Sequence, residues 1–368
     1  MSRAEGGARL KRLARCPARP ERLPSLPADG PRGAGIFGGE QVRGELRTET
    51  TRASASATKT LELRAPVSEL IRRRYSCRTY RPEPIAAAQQ RRLTELMAAH
   101  VAGPLGAQAR FALVAAAPGD DSALRRLGTY GFIKGATGFI VGAVARAPKD
   151  LEDYGYLLEE VILAATGIGL GTCWLGGTFT RGTFVRRFGG LKRGEAMPAV
   201  VSTGYIGDDG SERIREREKG SRRFPPGELF FEGEWGAPLA AAGGKDGADP
   251  YAAALEAVRM APSATNKQPW RIVRTASPAD GGQDVHSTAA RHDWHFHMVR
   301  TKGYGRGSAV FTVLRIADLQ RVDLGIAMCH FELVARESGV DGSWVVDDPG
   351  LDLPGPGIEY SATWREPG

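Results

Sequence analysis

Apolar and polar residues follow different periods along the chain, and these periods predict its elements. Apolar residues at helical spacing predict a short helix that begins at Ser68, with that serine as its N-cap, and a longer helix over residues 86–101. Short apolar runs predict strands at residues 110–117, 138–145 and 196–207. A long apolar segment between the last two strands predicts a buried helix that ends in a glycine-rich loop. The mixture of helices and strands indicates a fold of the α+β class.

The same order of elements occurs a second time after residue 250. Residues 251–273 predict a helix, a turn and a strand, and residues 293–300 predict another strand. Residues 322–340 predict a second long helix, which is followed by a short strand that contains a tryptophan. The order of elements in the second part of the chain therefore repeats that of the first.

A direct alignment of the two parts supports a duplication. A shift of 170 positions places Asp153–Trp174 on Asp323–Trp344 without a gap, and six of the 22 pairs are identical. Residues 103–114 align with residues 261–273 with one gap. We therefore expect two copies of one unit, related by a pseudo-twofold axis like the subunits of a fused homodimer. The identical pairs are Asp153/Asp323, Gly155/Gly325, Leu163/Leu333, Ala165/Ala335, Gly169/Gly339 and Trp174/Trp344.

Composition divides the chain into four regions. Residues 1–60 are rich in Arg, Pro, Gly and Ala and poor in aromatic residues, so they are predicted to be a disordered basic tail. Residues 61–235 are predicted to form the first half, and residues 251–368 the second half. The Gly- and Ala-rich residues 236–250 are predicted to be the linker between the halves.

Charge and hydropathy exclude some classes of protein. No apolar run approaches the roughly 18–20 residues that cross a bilayer, so we expect no membrane partner. The formal net charge is +8, but much of the excess lies in the N-terminal tail, which lacks interleaved aromatic residues for stacking on bases. A specific nucleic-acid partner is therefore not expected.

Cysteine and histidine residues indicate neither a disulfide framework nor a metal site. The four cysteines contain no CxxC pair, and the simplest interpretation is buried thiols in the reducing cytoplasm. His292, His295 and His297 lie in an alternating strand pattern that predicts His295 and His297 on its exposed face, so no metal is expected. The cysteines are Cys16, Cys77, Cys173 and Cys329.

Two motifs suggest the chemistry of a site. In "RRRYSCRTY" (residues 72–80), Arg74, Ser76 and Arg78 alternate, so they share one face if the segment is extended. Arginine matches the oxygens of a phosphate with a planar fork of donors. The second motif, "APSATNKQPW" (residues 261–270), is a proline-bounded turn whose asparagine amide both donates and accepts hydrogen bonds.

Together with the loop "GLGTCWLGG", these motifs resemble those of the nitroreductase family of FMN-dependent oxidoreductases, over roughly residues 66–350. The resemblance implies a nitroreductase-like α+β fold, with a mixed sheet packed by helices. It also implies FMN as the cofactor. In that family the NxQPW turn comes from the other subunit, so here it has to come from the other half.

The resemblance implies a role for each motif residue. Arg74 and Ser76 are expected to hold the FMN phosphate, with Tyr75 where the family often has a second arginine. Arg78 is expected near flavin N1, where its charge stabilises the reduced flavin. The remaining expected contacts are the basic pair Arg222 and Arg223, the backbone of Leu175, Gly176 and Gly177, and the turn residues Pro262, Ser263 and Asn266.

The motifs are distributed between the halves so that they complete one site. The first half has the phosphate motif and the glycine loop, but "GPLGAQARF" where the NxQPW turn would be; the second half has the turn but no RxSxR motif. We therefore expect one FMN per chain, in a monomer that acts as a pseudo-dimer. The glycines of "GIGLG" close a helix rather than open one, so they do not indicate a dinucleotide-binding fold.

The resemblance implies an enzyme that moves a hydride from NAD(P)H through flavin N5 to a small organic acceptor, a nitro compound or a quinone, by a ping-pong mechanism. Three alternatives stay open from the sequence. The protein could be a non-catalytic flavin-binding or storage protein, an enzyme that consumes the flavin or O2, or a nucleic-acid binder that uses its basic tail.

Overall fold

Two sheets, one antiparallel and one mixed, pack against a pair of long helices. The computed structural model describes residues 65–367, with gaps at residues 125–126, 208–222, 241–248, 278–290, 303, 306–310, 312 and 314–315. All described residues belong to one compact unit, Thr58–Gly368. The predicted tail and most of the predicted linker lie outside the described residues, so the four predicted regions stay a prediction.

From residue 65 to residue 204, the described chain contains four α-helices and five strands. In chain order they are α1 (Val67–Arg73), α2 (Ala87–Ala99), β1 (Ala109–Ala115), β2 (Gly138–Ala145), α3 (Asp150–Gly167), β3 (Gly171–Leu175), α4 (Arg181–Arg187), β4 (Glu195–Ala196) and β5 (Val200–Gly204).

The described chain from residue 223 onward begins with a single helical turn and a short strand, which still belong to the predicted first half. Its elements are α5 (Pro226–Leu229), β6 (Phe230–Glu232), α6 (Ala252–Met260), β7 (Trp270–Ala276), β8 (His292–Val299), α7 (Leu319–Glu337), β9 (Ser343–Val345) and β10 (Ile358–Arg365).

The two sheets have the same strand order. The first sheet runs β1-β2-β5-β3, and the second runs β7-β8-β10-β9, with every neighbour in these runs antiparallel. The pseudo-symmetric duplication that the sequence predicts is therefore present in the topology. Strand β4 adds to β2 in the first sheet through Val144 and Ala196.

Strand β6 breaks this symmetry. It follows the first sheet in the chain but pairs in parallel with β7 of the second sheet, with Phe230 opposite Ile272. A strand that leaves its own half for the sheet of the other half is the exchange seen in domain-swapped dimers. This exchange ties the two halves together through backbone hydrogen bonds.

Helices α3 and α7 pack against each other at the centre of the structure. Their residues are buried on nearly all sides, as expected for helices that lack a polar face. Polar contacts also cross the interface: Tyr156 Oη donates to Glu332 Oε2 at 2.8 Å, and Arg321 Nη2 donates to Glu152 Oε2 at 2.6 Å. The core of the described protein is therefore continuous between the halves.

Several element boundaries differ from the predicted ones. Helix α1 begins at Val67, not after an N-cap serine, and the carboxylate of Glu337 accepts hydrogen bonds from the backbone N–H groups of Val67 and Ser68. Helix α3 ends at Gly167, followed by Gly169 in the left-handed conformation (φ 84°), which permits the chain to reverse into β3.

The prediction that His295 and His297 lie on an exposed face is wrong. Their exposed fractions are 3% and 0%. His295 lies between the hydroxyls of Thr275 and Thr363, at 2.9 and 2.8 Å, and the ring of Trp235 packs edge-on against His297. The second face of this sheet is covered, which an alternating strand pattern does not reveal.

None of the helices in the described part of the chain has the length and apolar character that a bilayer crossing requires. Among the same residues, no group of three or more histidine, cysteine, aspartate or glutamate side chains is arranged to hold a metal ion.

Candidate functional site

Residues 74–78, which are named the phosphate motif after their predicted role, follow the end of α1. Arg74 is extended (φ −63°, ψ 135°), so the helix stops there and the chain turns toward β3. Ser76 forms a parallel bridge with Thr172, and the backbone N–H of Cys77 donates to Thr172 O at 2.8 Å. This pairing holds the motif beside the first residues of β3.

The residues of the motif alternate between two environments. Tyr75 and Cys77 are buried in a small cluster with Tyr80. Ser76 is half-buried, and Arg78 is exposed. The backbone is extended at Arg74 and is bridged to Thr172 at Ser76, but Arg78 lies in a more open environment than Arg74, which is 8% exposed, so a shared face for the three residues stays a prediction.

A cavity of about 250 Å³ opens beside Arg74. It carries two arginines and no acidic side chain among its lining residues, so its electrostatic character suits an anion. Ser76 does not line the cavity itself but directly follows the lining residue Tyr75 in the sequence. The cavity is lined by Arg73, Arg74, Tyr75, Thr166, Gly169, Leu170, Gly171, Thr172 and Ile206.

A buried polar network lies behind Arg74. Its guanidinium Nε is 3.6 Å from Glu159 Oε1, and the same oxygen is 3.1 Å from Nε2 of His330. Glu159 Oε2 accepts a hydrogen bond from the Trp174 indole at 2.8 Å. Glu159 and His330 are fully buried. This network connects the phosphate motif of the first half with α7 of the second.

The glycine loop contacts the second half directly. Leu175 is buried at the end of β3, Gly176 is half-buried and Gly177 is exposed. A Cβ atom on Gly176 would lie 2.5 Å from Leu319 Cδ1, and one on Gly177 would lie 3.2 Å from Ile316 Cδ1. A side chain at Gly176 would therefore require the side chain of Leu319, at the start of α7, to move.

The NxQPW turn has an unusual backbone. Thr265, Asn266 and Gln268 all have positive φ, at 51°, 56° and 48°, although none is glycine. Such conformations cost on the order of 1–3 kcal/mol each and persist where the surroundings fix them. Strain of this kind concentrates at binding sites, where it serves to pre-organise the backbone.

Three side chains fix this turn. Ser263 Oγ accepts from the N–H of Gln268 at 2.9 Å, and Gln268 Oε1 accepts from the N–H of Phe224 at 2.9 Å. Asp323 Oδ1, on α7, accepts from the N–H of Ala264 at 3.0 Å. Pro262, Ser263 and Asn266 remain half-buried.

Gln268 and Trp270 are structural residues. Gln268 is 2% exposed, and Trp270 is fully buried in the core.

The structure describes only one residue of the predicted basic pair, Arg222 and Arg223. Arg222 lies outside the described residues. Arg223 donates from Nη1 to Ala261 O at 2.6 Å and from Nη2 to Met260 O at 3.1 Å, so it caps the C-terminal end of α6. Its phosphate contact stays a prediction, and its observed position connects the segment after β5 to the NxQPW turn.

The carboxylate of Asp153 holds a turn of the first half in the same way as Asp323 holds the NxQPW turn of the second. Its carboxylate accepts from the N–H groups of Leu105 and Ala107, at 2.9 and 2.7 Å. Burial raises the pKa of Asp153 to about 6 and raises the pKa of Asp323 well above its usual range. The sequence pairs these two aspartates but does not indicate that each holds a turn.

The parts of the predicted site come from both halves. The phosphate motif and the glycine loop meet at β3, and the glycine loop and the NxQPW turn both contact the first residues of α7, at Leu319 and Asp323. Glu159, His330 and Asp323 are the residues that sequence reasoning missed. The adjacent carboxylates Glu159 and Glu160, inside the otherwise apolar stretch of residues 154–165 of α3, were the available signal.

The family model for proteins described as "Putative TM nitroreductase" matches residues 66–335, which is more than half of the chain. The chain belongs to this nitroreductase family. The resemblance inferred from the motifs and the predicted nitroreductase-like fold are therefore confirmed.

Solved structures of nitroreductases also match. One from Thermotoga maritima has 16% identity and a TM-score of 0.48, with 85% of this chain and 99% of that chain covered. One from Clostridium difficile has 18% identity and a TM-score of 0.32, with coverages of 43% and 92%. A nitroreductase with bound FMN from Bacteroides fragilis has 21% identity and a TM-score of 0.31, with coverages of 40% and 91%. The search of curated proteins returned no match.

Proposed function

We propose that this member of the nitroreductase family is an FMN-dependent NAD(P)H oxidoreductase that holds one FMN between its halves. The observation that carries the proposal is the cavity beside Arg74, which has two arginines and no acidic residue in its lining. The cavity lies at the family's phosphate motif, and the glycine loop and the NxQPW turn converge on the start of α7.

The residues present fit the cofactor. Arg74 is buried, forms an ion pair with Glu159 on its Nε side and lines the cavity, so the terminal amino groups of its guanidinium are the donors that suit an anionic ligand. The turn is already held by hydrogen bonds of its own backbone, so it needs no reorganisation to place the side chain of Asn266 against the cofactor. The proposed FMN contacts are Arg74, Tyr75, Ser76, Arg78, Leu175, Gly176, Gly177, Arg222, Arg223, Pro262, Ser263 and Asn266.

The flavin supplies the redox chemistry, which is hydride acceptance at N5 from NAD(P)H and electron transfer to a nitro compound or quinone in ping-pong fashion. The chain supplies position and charge. Arg74 and Ser76 bind the phosphate, Arg78 places a positive charge near N1, and the turn around Asn266 pairs with the pyrimidine edge. No side chain is required as a general acid or base.

The described residues form no separate nicotinamide-binding domain, which favours one shared cleft for NAD(P)H and the acceptor. Action as a monomer and a cytoplasmic location are part of the same proposal.

Anaerobic stopped-flow spectroscopy of the purified holoprotein tests the proposal. We expect NADH or NADPH to bleach the bound flavin much faster than it bleaches free FMN at the same concentration. Addition of a quinone or a nitro compound should then restore the oxidised spectrum. Bleaching no faster than that of free FMN would instead support a flavin-binding or storage protein without catalysis.

A further inference from the structure

Glu159 stands between a residue of the proposed phosphate site and a residue of the second half. Its Oε1 lies 3.6 Å from Nε of Arg74 and 3.1 Å from Nε2 of His330. Both Glu159 and His330 have no exposed surface. A buried carboxylate is costly unless it is paired and hydrogen-bonded, so these contacts determine its state.

The two contacts of His330 require one more proton than a neutral imidazole and an ionised carboxylate carry together. Its Nδ1 is 2.9 Å from the carbonyl oxygen of Ala257, which only accepts, so Nδ1 carries a hydrogen. A neutral imidazole then presents a bare Nε2 to Glu159 Oε1, and two acceptors do not bond. The 3.1 Å contact therefore contains a proton that belongs to either His330 or Glu159.

The remaining contacts of Glu159 favour the charged form of the pair. Its Oε2 accepts from the Trp174 indole at 2.8 Å, and its Oε1 faces the permanent charge of Arg74. Both partners favour an ionised carboxylate, for which the shared proton would lie on His330. Glu159 is then an anion between two cations, one from each half of the molecule.

This arrangement also orients Arg74. Glu159 Oε1 lies 3.6 Å from Nε, at ion-pair distance but without a hydrogen bond, so the terminal amino groups are the part left for a ligand in the cavity that Arg74 lines. A guanidinium recognises phosphate best when its planar fork is held in one orientation. His330 offsets the negative charge of Glu159, which would otherwise weaken the attraction of Arg74 for an anion.

We propose that Glu159 is a positioning residue for Arg74 in phosphate recognition, and that His330 provides the balancing charge from the second half. The second half therefore contributes to the phosphate end of the site as well as to the flavin end. This inference rests on the proposed binding of FMN.

The test compares FMN with riboflavin, which is the same ring and ribityl chain without the phosphate. Dissociation constants for both are measured on the full-length apoprotein by quenching of flavin fluorescence. Glu159→Gln should weaken FMN binding about tenfold and leave riboflavin binding within about twofold, because only the phosphate contact is lost. Glu160→Gln, the adjacent buried carboxyl on α3, is the matched control and should keep the wild-type ratio of the two constants.

His330→Gln provides a second variant that retains an amide donor but lacks the charge. It should lower the preference for FMN in the same selective way, and the double variant should lose less than the two single effects combined. Should Glu159→Gln not fold by circular dichroism, His330→Gln decides the matter alone.

The outcomes separate the two proposals. A wild-type protein that binds neither flavin overturns the proposed function itself. A wild-type protein that prefers FMN, with variants that keep the full preference or lose both flavins equally, overturns the positioning role and leaves the proposed function intact.

Discussion

Gly155 on α3 and Gly325 on α7 make reciprocal contacts across the centre of the protein. A Cβ atom on Gly155 would overlap the carbonyl oxygen of Val322, and one on Gly325 would overlap the carbonyl oxygen of Glu152. The shift of 170 positions converts each contact into the other. Contacts exchanged in this way are the signature of an isologous interface, so a pseudo-twofold axis passes between the two helices.

We predict that Gly155→Ala and Gly325→Ala each lower the free energy of unfolding by about 3 kcal/mol, at the upper end of the overpacking range, because the obstructing atoms are backbone. Urea denaturation measures the loss. Gly182→Ala on α4 is the control, because a Cβ there would lie 3.7 Å from Arg186 Nη1, an ordinary contact. It should raise the stability by about 0.4–1 kcal/mol. Equal behaviour of all three variants would contradict the close helix contact.

We predict that substitution of either paired aspartate lowers stability, but that only one of the two substitutions weakens flavin binding. Asp323→Ala and Asp153→Ala should each lower stability, by about 1–3 kcal/mol for every backbone N–H left without an acceptor. Only Asp323→Ala should also weaken FMN binding, by about tenfold, because Asp323 holds the NxQPW turn. Calorimetry and flavin titration of both variants provide the comparison. Weaker FMN binding in Asp153→Ala would show that the first-half turn also serves a flavin.

Local patterns in the sequence predicted the long helices and the duplication for identifiable reasons. Apolar periodicity is a property of neighbouring residues, and the identical pairs are kept where the backbone is crowded, as at Gly155, or where a turn is held, as at Asp153. The phosphate motif was also recognisable, because its residue types and their spacing are local features of the sequence and Ser76 lies in a bridged segment.

Features that depend on distant residues were not predictable. Strand β6 is only three residues long, and its partner strand belongs to the other half. Glu159 and His330 are 171 positions apart, so no local pattern connects them. The burial of His297 depends on Trp235, which lies in another segment. In each case tertiary packing, rather than local propensity, decides the structure.

The division of motifs between the halves predicts one FMN per chain. The second half has no arginine motif equivalent to that around Arg74, and the first-half turn that Asp153 holds has the sequence "GPLGAQ" in place of the NxQPW residues. Flavin released by denaturation, measured against protein concentration, should give a ratio near one. A ratio near two would show that both pseudo-equivalent positions bind the cofactor.

Stability should fall as the pH rises toward 8, and Glu160 should account for part of the loss. Burial raises the pKa of Glu160 to about 8, and the nearby Glu332 carboxylate adds to the effect. The unfolded carboxyl releases its proton near pH 4.5, so the folded state binds more protons between these values. The stabilisation that protonated Glu160 provides is complete below pH 4.5 and is lost above pH 8. Each pKa unit corresponds to about 1.4 kcal/mol, so the loss amounts to several kcal/mol.

Unfolding free energies at pH 5, 6.5 and 8 test this expectation. Glu160→Gln should flatten the profile, whereas Glu95→Gln, at an exposed carboxyl on α2, should leave the wild-type slope. A wild-type slope in Glu160→Gln would assign the dependence to other buried carboxyls, among them Asp153, whose pKa is raised to about 6.

The two motif arginines should have different effects on the flavin. Arg78 is exposed, and its proposed place is near N1, where a positive charge favours the reduced, anionic flavin over the neutral oxidised ring. Arg78→Gln should therefore lower the two-electron potential by some tens of millivolts, because about 30 mV corresponds to 1.4 kcal/mol for two electrons. FMN should still bind, since Arg74 and Ser76 would retain the proposed phosphate contact.

Arg74→Gln should show the opposite pattern, with weaker FMN binding and little change in potential, because its guanidinium lines the cavity of the proposed phosphate site. Arg81→Gln is a matched control, because Arg81 is an exposed arginine three residues beyond Arg78 that contacts Glu83 and the ring of Tyr205. Potentiometric and binding titrations of the three variants give the comparison. An unchanged potential in Arg78→Gln together with a shifted potential in Arg74→Gln would reverse the two assignments, because the charge that matters would then lie at Arg74.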